Sequence, residues 1–409
     1  MKPTRLITMA LLATAVLAVA GLTACSGSPD IVTTVVPPAA KESALTIALK
    51  PVDTRAAATG NTTEKENTIN RVAVGIFDSG GNVKMVKTFE KGEITSGESG
   101  DIKSGTVTLT TTTALATTDH VLVACNAPAD VFTGAIANED AFRAKTITTD
   151  EALYGASSHT TTDAVDFTNL PMFGHVEALT QSSTDGTQFT AAVNVYHLVA
   201  KITLESFTLD KKGAMANARF DPEGIFLAHV PDVLDFQNVT ATTSEAAYFL
   251  TTPLKYNSYY HGDMTKNNQA GFLGKAYLGM DAATKDNAKT LAGLVAYTMP
   301  NSQTDDANAT FLVVRGKFHY SDTDTAGTEV WYPLYINYSN TSGGTHVGEA
   351  KKVYPNFNYK MRVTVQGFGE KPDYDKNGNP VITPLVPRTV AVTVTPQGFV
   401  DAPSEVTLN

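Results

Sequence analysis

The residues Ala44-Leu45-Thr46-Ile47-Ala48-Leu49-Lys50 carry the clearest β-strand pattern in the chain. Large aliphatic residues alternate here with small or polar ones, so an extended segment would present one apolar face. We expect a strand whose buried side chains are Leu45, Ile47 and Leu49. Between residues 51 and 66 the chain is polar and poor in bulky apolar groups, which predicts a loop open to proteases. The strand therefore precedes a place where the chain can be cut.

The residues before this strand have the order of a lipoprotein leader. A positively charged start is followed by an apolar run that is too short and too rich in alanine to form a stable membrane-spanning helix. The run ends in Leu22-Thr23-Ala24-Cys25, and a lipoprotein signal peptidase requires small residues before the cysteine. We expect residues 1–24 to be a lipoprotein signal peptide, Cys25 to carry the lipid, and residues 25–55 to form a tether and the removable strand. An ordinary signal peptide with an incidental cysteine is the alternative.

The loop after the strand contains the sequence Asp53-Thr54-Arg55-Ala56. An arginine between a strand and an open loop is a candidate for an arginine-specific protease, so we expect the cut between Arg55 and Ala56. A plain surface arginine is the alternative interpretation. Arg71 is a competing site, but it begins a predicted strand and should be protected there. On this hypothesis the strand is a temporary plug that cleavage releases.

The C-terminus offers a second alternating pattern. In Thr389-Val390-Ala391-Val392-Thr393-Val394-Thr395 the valines share one face, and Pro396 ends the run. Residues 399–408 form a weaker strand pattern. A strand of this kind can fill an apolar groove in a neighbouring molecule by β-augmentation, so residues 389–409 are the candidate donor. The side chains that would be donated are Val390, Val392 and Val394, with Val406 and Leu408 as further candidates.

The body of the chain is rich in short alternating runs, which predicts an all-β fold with a few short helices. Residues 71–77 and 83–89 flank a Gly/Asn/Asp-rich turn and predict a hairpin. A long strand is expected over 191–207. Short helices are expected at 138–145, with an asparagine as N-cap, and at 282–294.

The remaining length is enough for two domains. We expect an N-terminal β-sandwich over residues 56–188 and a C-terminal β-sandwich over 189–409, which carries the donor segment. If Cys25 is acylated, Cys125 has no disulfide partner within the chain. Each domain must then be stabilised by its hydrophobic core alone.

The charge balance is acidic, with 31 Lys and Arg against 41 Asp and Glu and a formal net charge of −10. Loss of residues 1–24 would remove two basic residues and no acidic ones, which gives −12. An acidic surface argues against nucleic acid or anionic lipid as a partner, and it suits solubility on a cell exterior.

No motif in the chain indicates catalysis, a cofactor or a metal. The eight histidines are scattered without the short spacing of a zinc site, and there is no phosphate loop or nucleophile elbow. Residues 373–378 fit the first half of a calcium loop, but Pro384 stands where the closing acid is required. A glycosidase carboxylate pair is left open because acidic residues are plentiful and nothing marks one pair.

The order of these segments resembles the Bacteroidia fimbrillins, the type V pilins of major and minor fimbriae. The matching segments are 22–25, 54–55, 70–77, 121–127, 195–202, 354–359 and 392–396. The resemblance implies two tandem transthyretin-like β-sandwich domains, export as an outer-membrane lipoprotein, arginine-specific cleavage and polymerisation by donor-strand exchange. It assigns Cys25 to lipidation, Arg55 to the cut, and the strand of Leu45, Ile47 and Leu49 to the segment that is lost. One departure is His197, where relatives commonly have arginine.

The resemblance implies a shaft subunit of a cell-surface fimbria. Its partners would be copies of itself, other fimbrial subunits, the processing protease, the outer membrane through the lipid before cleavage, and host or bacterial surface ligands. A tip adhesin or a membrane anchor of the same fimbria is the nearest alternative. A glycan-processing surface lipoprotein is an alternative of another class.

Overall fold

The computed structural model describes residues 42–51, 66–95, 104–155, 166, 168–184, 186–231, 233–236, 294–305, 309–338, 346–371, 373–374, 380–381 and 400–408. These residues form many β-strands and two short α-helices, so the expectation of an all-β fold with a few short helices is confirmed. Neither helix within these ranges is long and apolar enough to cross a membrane.

The described residues of the first half of the chain form nine strands and both helices. The strands are β1 (Ser43–Pro51), β2 (Arg71–Phe77), β3 (Val83–Glu90), β4 (Gly105–Thr111), β5 (His120–Cys125), β6 (Thr146–Thr148), β7 (Met172–Val176), β8 (Thr180–Gln181) and β9 (Gln188–His197). The helices are α1 (Glu139–Arg143) and α2 (Thr149–Tyr154). Seven strands follow one another in the order β3-β2-β5-β7-β9-β1-β4, and β8 pairs beside β9.

Ten strands are formed by the part of the second half that the structure describes. They are β10 (Ala200–Leu209), β11 (Arg219–Ala228), β12 (Val233–Asp235), β13 (Leu294–Thr298), β14 (Phe311–His319), β15 (Thr328–Tyr335), β16 (Phe357–Val365), β17 (Asp373–Tyr374), β18 (Pro380–Val381) and β19 (Val400–Leu408). One sheet has the order β13-β10-β16-β19 and another the order β11-β14-β15. The pairs β6–β12 and β17–β18 are smaller.

The sequence pattern located several elements. The expected strand at 44–50 is β1, and the expected hairpin at 71–89 is β2–β3, whose turn is held by hydrogen bonds from Gly80 and Asn82 to the Asp78 carboxylate. Helix α1 lies inside the expected 138–145, and the Asn138 side chain caps it by accepting from Ala141 N at 2.8 Å. The helix expected at 282–294 lies outside the described residues except for its last residue, which begins β13.

The prediction of one strand over 191–207 is wrong. The chain forms β9 and β10, which belong to different sheets and are separated by the buried residues Leu198 and Val199. The buried positions are odd-numbered in β9 and mostly even-numbered at the start of β10. Because a strand buries every second residue, a switch from odd to even buried positions turns the opposite face inward. This switch marked the break between the two strands.

The expected domain boundary at residues 188 and 189 falls at the start of β9. Strand β9 pairs with β1 and β7, whereas β10 pairs with β13 and β16. We propose that the boundary lies at Leu198 and Val199, where the chain changes sheet.

Two large apolar clusters form the core. One lies within the first half and contains the inward side chains of β1, β4 and β9 together with those of β2 and β5. The other joins residues of both halves, including Leu122, Phe173, Phe236 and Tyr359. The strand β1 therefore contributes to the core of the first half and is not a surface addition.

Gly174 marks the place where β9 leaves β7 and continues beside β1. A Cβ atom at Gly174 would lie 2.0 Å from the backbone carbonyl oxygen of Asn194, which no side chain can tolerate. Asn194 pairs with Lys50 of β1. Glycine is therefore required here for the close approach that places β9 beside β1.

Candidate functional site

Strand β1 lies between two other strands. It pairs antiparallel with β4 and parallel with β9, so both of its edges are hydrogen-bonded. Its side chains alternate between buried and partly exposed, and Leu45, Ile47 and Leu49 are at most 1% exposed. The pattern in the sequence therefore matches the burial of the strand.

Each inward side chain of β1 has a defined pair of neighbours. The cross-strand partners are Leu109 and Phe189 for Leu45, Val107 and Ala191 for Ile47, and Gly105 and Val193 for Leu49. Burial of three such aliphatic side chains is worth roughly 4–9 kcal/mol before entropy costs. Loss of β1 would leave a groove between β4 and β9 with three apolar positions spaced two residues apart, and it would expose two strand edges.

The chain leaves and re-enters the described region at the same end of β9. Pro51, the last residue of β1, pairs with Val195, and after the interval 52–65 the Oδ1 atom of Asn67 lies 3.0 Å from Nε2 of His197. The expected cleavage residues Arg55 and Ala56 lie in that interval and are outside the described residues. The expected lipidation residue Cys25, which precedes β1, is also outside the described residues. Both flanks of the expected cut are thus fixed by β9.

The downstream flank is held by a buried ion pair. Lys201 Nζ, on β10, lies 2.7 Å from Oε1 of Glu66, and the Tyr297 hydroxyl on β13 donates to the same oxygen. The side chains of Glu66 and Lys201 are 1% and 7% exposed. Burial, together with the Glu66 charge, raises the pKa of Tyr297 well above its usual value, so the phenol keeps its proton. We call Glu66, Lys201 and Tyr297 the Glu66 anchor.

Asn126, at the end of β5, holds the next residues. Its Nδ2 donates to the carbonyl oxygens of Thr68 and Leu170 at 2.8 and 2.9 Å, and its Oδ1 accepts from Asn70 N at 2.9 Å. Its φ of 60° is in the left-handed region, which asparagine tolerates better than most residues. Residues 66–70 are therefore fixed to β5, β9, β10 and β13.

Arg71, the competing protease site, follows directly and is engaged. Its Nε atom lies 2.8 Å from Glu90 Oε1 on the neighbouring strand, and its Nη1 donates to the carbonyl oxygen of Ala127 at 3.0 Å. The residue begins β2, which pairs on both sides. This geometry agrees with the expectation that Arg71 is protected.

The C-terminal candidate donor is only partly described. Strand β19 pairs parallel with β16 along its whole length, and the backbones of Val406 and Leu408 pair with Val363 and Val365. Strand β19 is at the edge of its sheet. Val390, Val392 and Val394 lie outside the described residues. The described structure thus places the β1 side chains in one sheet and the backbone of the last candidate strand in another.

The described residues show no group of three His, Cys, Asp or Glu side chains that could hold a metal ion. Cys125 is fully buried in β5, and burial raises the pKa of its thiol to about 12. It therefore packs as a small apolar residue and is not a reactive thiolate.

The Glu66 anchor was not among the features predicted from the sequence. Glu66 and Lys201 are 135 residues apart, and Tyr297 is more distant still. The available signal was a lysine between apolar residues in Ala200-Lys201-Ile202, because a lysine in a buried strand requires a partner.

The match to a known family begins at the first residue of β1. Residues 43–217 match the family model described as major fimbrial subunit protein (FimA). This part of the chain is therefore similar to the FimA major fimbrial subunit family. The matched range contains both walls of the β1 groove as well as Glu66 and Lys201 of the anchor. No curated protein matches the sequence at a significant level.

Two crystal structures share the fold of this chain. One is a fimbrilin from Porphyromonas gingivalis W83, with 15% identity, a TM-score of 0.51, and coverage of 89% of this chain and 97% of the other. The second is a candidate cell adhesion protein from Bacteroides eggerthii, with 18% identity, a TM-score of 0.50, and coverage of 90% and 97%. Identities this low establish the β-sandwich architecture alone.

Proposed function

We propose that this chain is the shaft subunit of a cell-surface fimbria and that it polymerises by exchange of β1. The observation that carries the proposal is the position of β1, which is buried on its apolar face, paired on both edges, and followed by the interval that holds Arg55. The match of residues 43–217 to the model of the FimA major fimbrial subunit family supports the fimbrial role. The chain would catalyse no reaction of its own.

The proposed sequence of events begins with export. Cys25 receives the lipid, which delivers the subunit to the outer membrane. An arginine-specific protease then cuts between Arg55 and Ala56, and the lipid leaves with β1. Before the cut, covalent connection keeps β1 at a high effective concentration beside β4 and β9, so the groove is occupied and subunits remain separate.

After the cut, a strand from a neighbour can replace β1. The donor must supply three apolar side chains two residues apart, since the positions of Leu45, Ile47 and Leu49 have that spacing. Val390, Val392 and Val394 have it, and Val406 and Leu408 offer two further positions. A joint of this kind should separate slowly, because the whole strand must be stripped from both neighbours before the subunits part.

The test is to incubate the purified full-length chain with an arginine-specific protease. Cleavage after Arg55 is expected, followed by ladders of polymer that resist SDS at room temperature. A chain that lacks residues 389–409 should be cut and remain monomeric. A cut full-length chain that stays monomeric at high concentration would exclude the shaft role and favour a tip or anchor subunit.

A further inference from the structure

The Glu66 anchor lies between two arginines that an arginine-specific protease could use. Arg55 precedes it in the interval 52–65, and Arg71 follows it at the start of β2. A cut after Arg71 would remove residues 66–70 from the mature subunit, and with them the contacts to β5, β9, β10 and β13. Correct processing therefore requires that the protease distinguish the two sites.

We propose that the Glu66 anchor is the element that confines processing to the interval before residue 66, because it holds residues 66–71 in a conformation that a protease cannot bind. The inference rests on the proposed function in one respect, which is that the processing enzyme cuts after arginine. It assigns Glu66, Lys201 and Tyr297 as residues that determine the specificity of processing.

A protease binds an extended segment on both sides of the bond it cuts, so a site in folded structure is cut only after local opening. The residues before the Arg71–Val72 bond are all engaged: Glu66 with Lys201, Asn67 with His197, and Asn70 with Asn126. Arg71 itself contacts Glu90 and Ala127. Opening this site requires that all these contacts break together.

The ion pair should dominate the cost of a complete opening. The side chains of Glu66 and Lys201 are both buried. Among the described residues, no hydrogen-bond partner is found for the buried Oε2 atom of Glu66. The buried carboxylate therefore depends on Lys201 and Tyr297. Removing one member of such a pair leaves an uncompensated charge, whereas replacing both members with neutral side chains is often tolerated. The single variant should therefore be cut faster than the double variant if the ion pair is the cause. Loss of an ordinary packing contact would instead make the double variant at least as fast as the single one.

The experiment measures the rate of cleavage at the Arg71–Val72 bond in a full-length chain that carries Arg55→Gln. This substitution removes the expected processing site, so that cutting at Arg71 is observed separately. Four chains are compared, and all of them carry Arg55→Gln. The first has no other change, the second adds Lys201→Met, the third adds Glu66→Gln, and the fourth adds both. The rate is measured as the appearance of a new N-terminus at Val72 by mass spectrometry under limiting arginine-specific protease.

Lys201→Met should accelerate cleavage at Arg71 by roughly tenfold or more, since the open state becomes more populated. The double variant should be cut at Arg71 more slowly than the Lys201→Met chain, because it buries no unpaired charge, but still faster than the Arg55→Gln chain, because the ion pair is lost. The matched control is Thr203→Val, on the same strand as Lys201. It removes a 2.8 Å side-chain hydrogen bond from Thr203 to Asn358 on β16, which is not one of the bonds described above for residues 66–71. It should leave the rate at Arg71 unchanged.

Two results would overturn the inference. One is a folded Lys201→Met chain, with a normal circular dichroism spectrum, that is cut at Arg71 no faster than its parent. The other is equal acceleration by Thr203→Val, which would assign the effect to general stability. If the unaltered chain were not cut at Arg55, the proposed processing site would be wrong, but the rates at Arg71 would still decide the role of the anchor.

Discussion

His197 shows how the environment of one residue makes stability depend on pH. It is buried at the end of β9 beside Asn67, and burial together with the charge of Lys201 lowers its pKa to about 3. The unfolded chain has a pKa near 6.5 at this position. Between these values the unfolded state binds a proton that the folded state does not, so the stabilisation is present above pH 6.5 and is lost as the pH falls.

The first prediction follows from this difference. His197→Gln in the uncleaved chain should remove a pH dependence of about 1.4 kcal/mol per pH unit between pH 6 and pH 4. The measurement is urea denaturation of both chains at pH 7, 6, 5 and 4, with the difference in unfolding free energy plotted against pH. A difference that is constant over this range would show that His197 does not carry the effect.

Gly174 gives a second prediction at the residue scale. Gly174→Ala would place a methyl group 2.0 Å from the Asn194 carbonyl oxygen, so β7 and β9 must separate. We expect a loss of more than about 2 kcal/mol of unfolding free energy in the uncleaved chain. The control is Gly92→Ala, since a Cβ at Gly92 would meet no atom within 4 Å. Equal stability of the two variants would contradict the close approach of the strands.

Among the elements, β1 would have opposite effects before and after the proposed cleavage. In the described structure it fills the space between β4 and β9, and its side chains belong to the core. After the proposed cut only non-covalent contacts would retain it, so on this mechanism its departure would limit the rate at which a donor can enter. Interactions that stabilise the precursor should therefore slow assembly.

Ile47→Ala tests this relation. The uncleaved variant should lose about 2–4 kcal/mol of unfolding free energy, because the substitution leaves a cavity between Val107 and Ala191. After cleavage the same variant should polymerise faster than the unaltered chain, and its mature polymer should have unaltered thermal stability. Thr46→Ala, on the outer face, is the control for both measurements. Slower assembly of the Ile47→Ala variant would contradict release of β1 as the limiting step.

Across the whole molecule, the groove and the donor would be separate requirements of the proposed assembly. The groove is made by β4 and β9 in the first half, whereas the candidate donor occupies residues 389–409. A subunit without the donor segment should still accept a donor in its groove, and a subunit whose groove is filled should still donate its own segment. Such subunits would stop growth at opposite ends of a fimbria.

This separation gives the last prediction. A cleaved chain that lacks residues 389–409 can accept a donor, and an uncleaved Arg55→Gln chain can only donate. Each should shorten polymers when added in small amounts to cleaved unaltered subunits, as measured by electron microscopy. A chain with both changes should have no effect and serves as the control. Normal polymer length with either single variant would exclude the proposed exchange.

Several local features could be predicted from the sequence because their causes are local. The alternation of Leu45, Ile47 and Leu49 determined which face of β1 is buried, since side chains in a strand alternate. The Asp78 turn determined the β2–β3 hairpin, and Asn138 determined the start of α1. In each case the decisive residues lie within a few positions of one another.

Local sequence patterns thus sufficed for β1 with its inward face, for the β2–β3 hairpin and for α1, and they placed β1 before a polar stretch. Only the tertiary structure decided that β1 lies between β4 and β9, that the chain changes sheet at Leu198 and Val199, and that Glu66 pairs with Lys201 across 135 positions. The physical reason is that local periodicity encodes which side of an element is apolar. The partner that covers that side, or neutralises a buried charge, depends on chain segments far away in sequence.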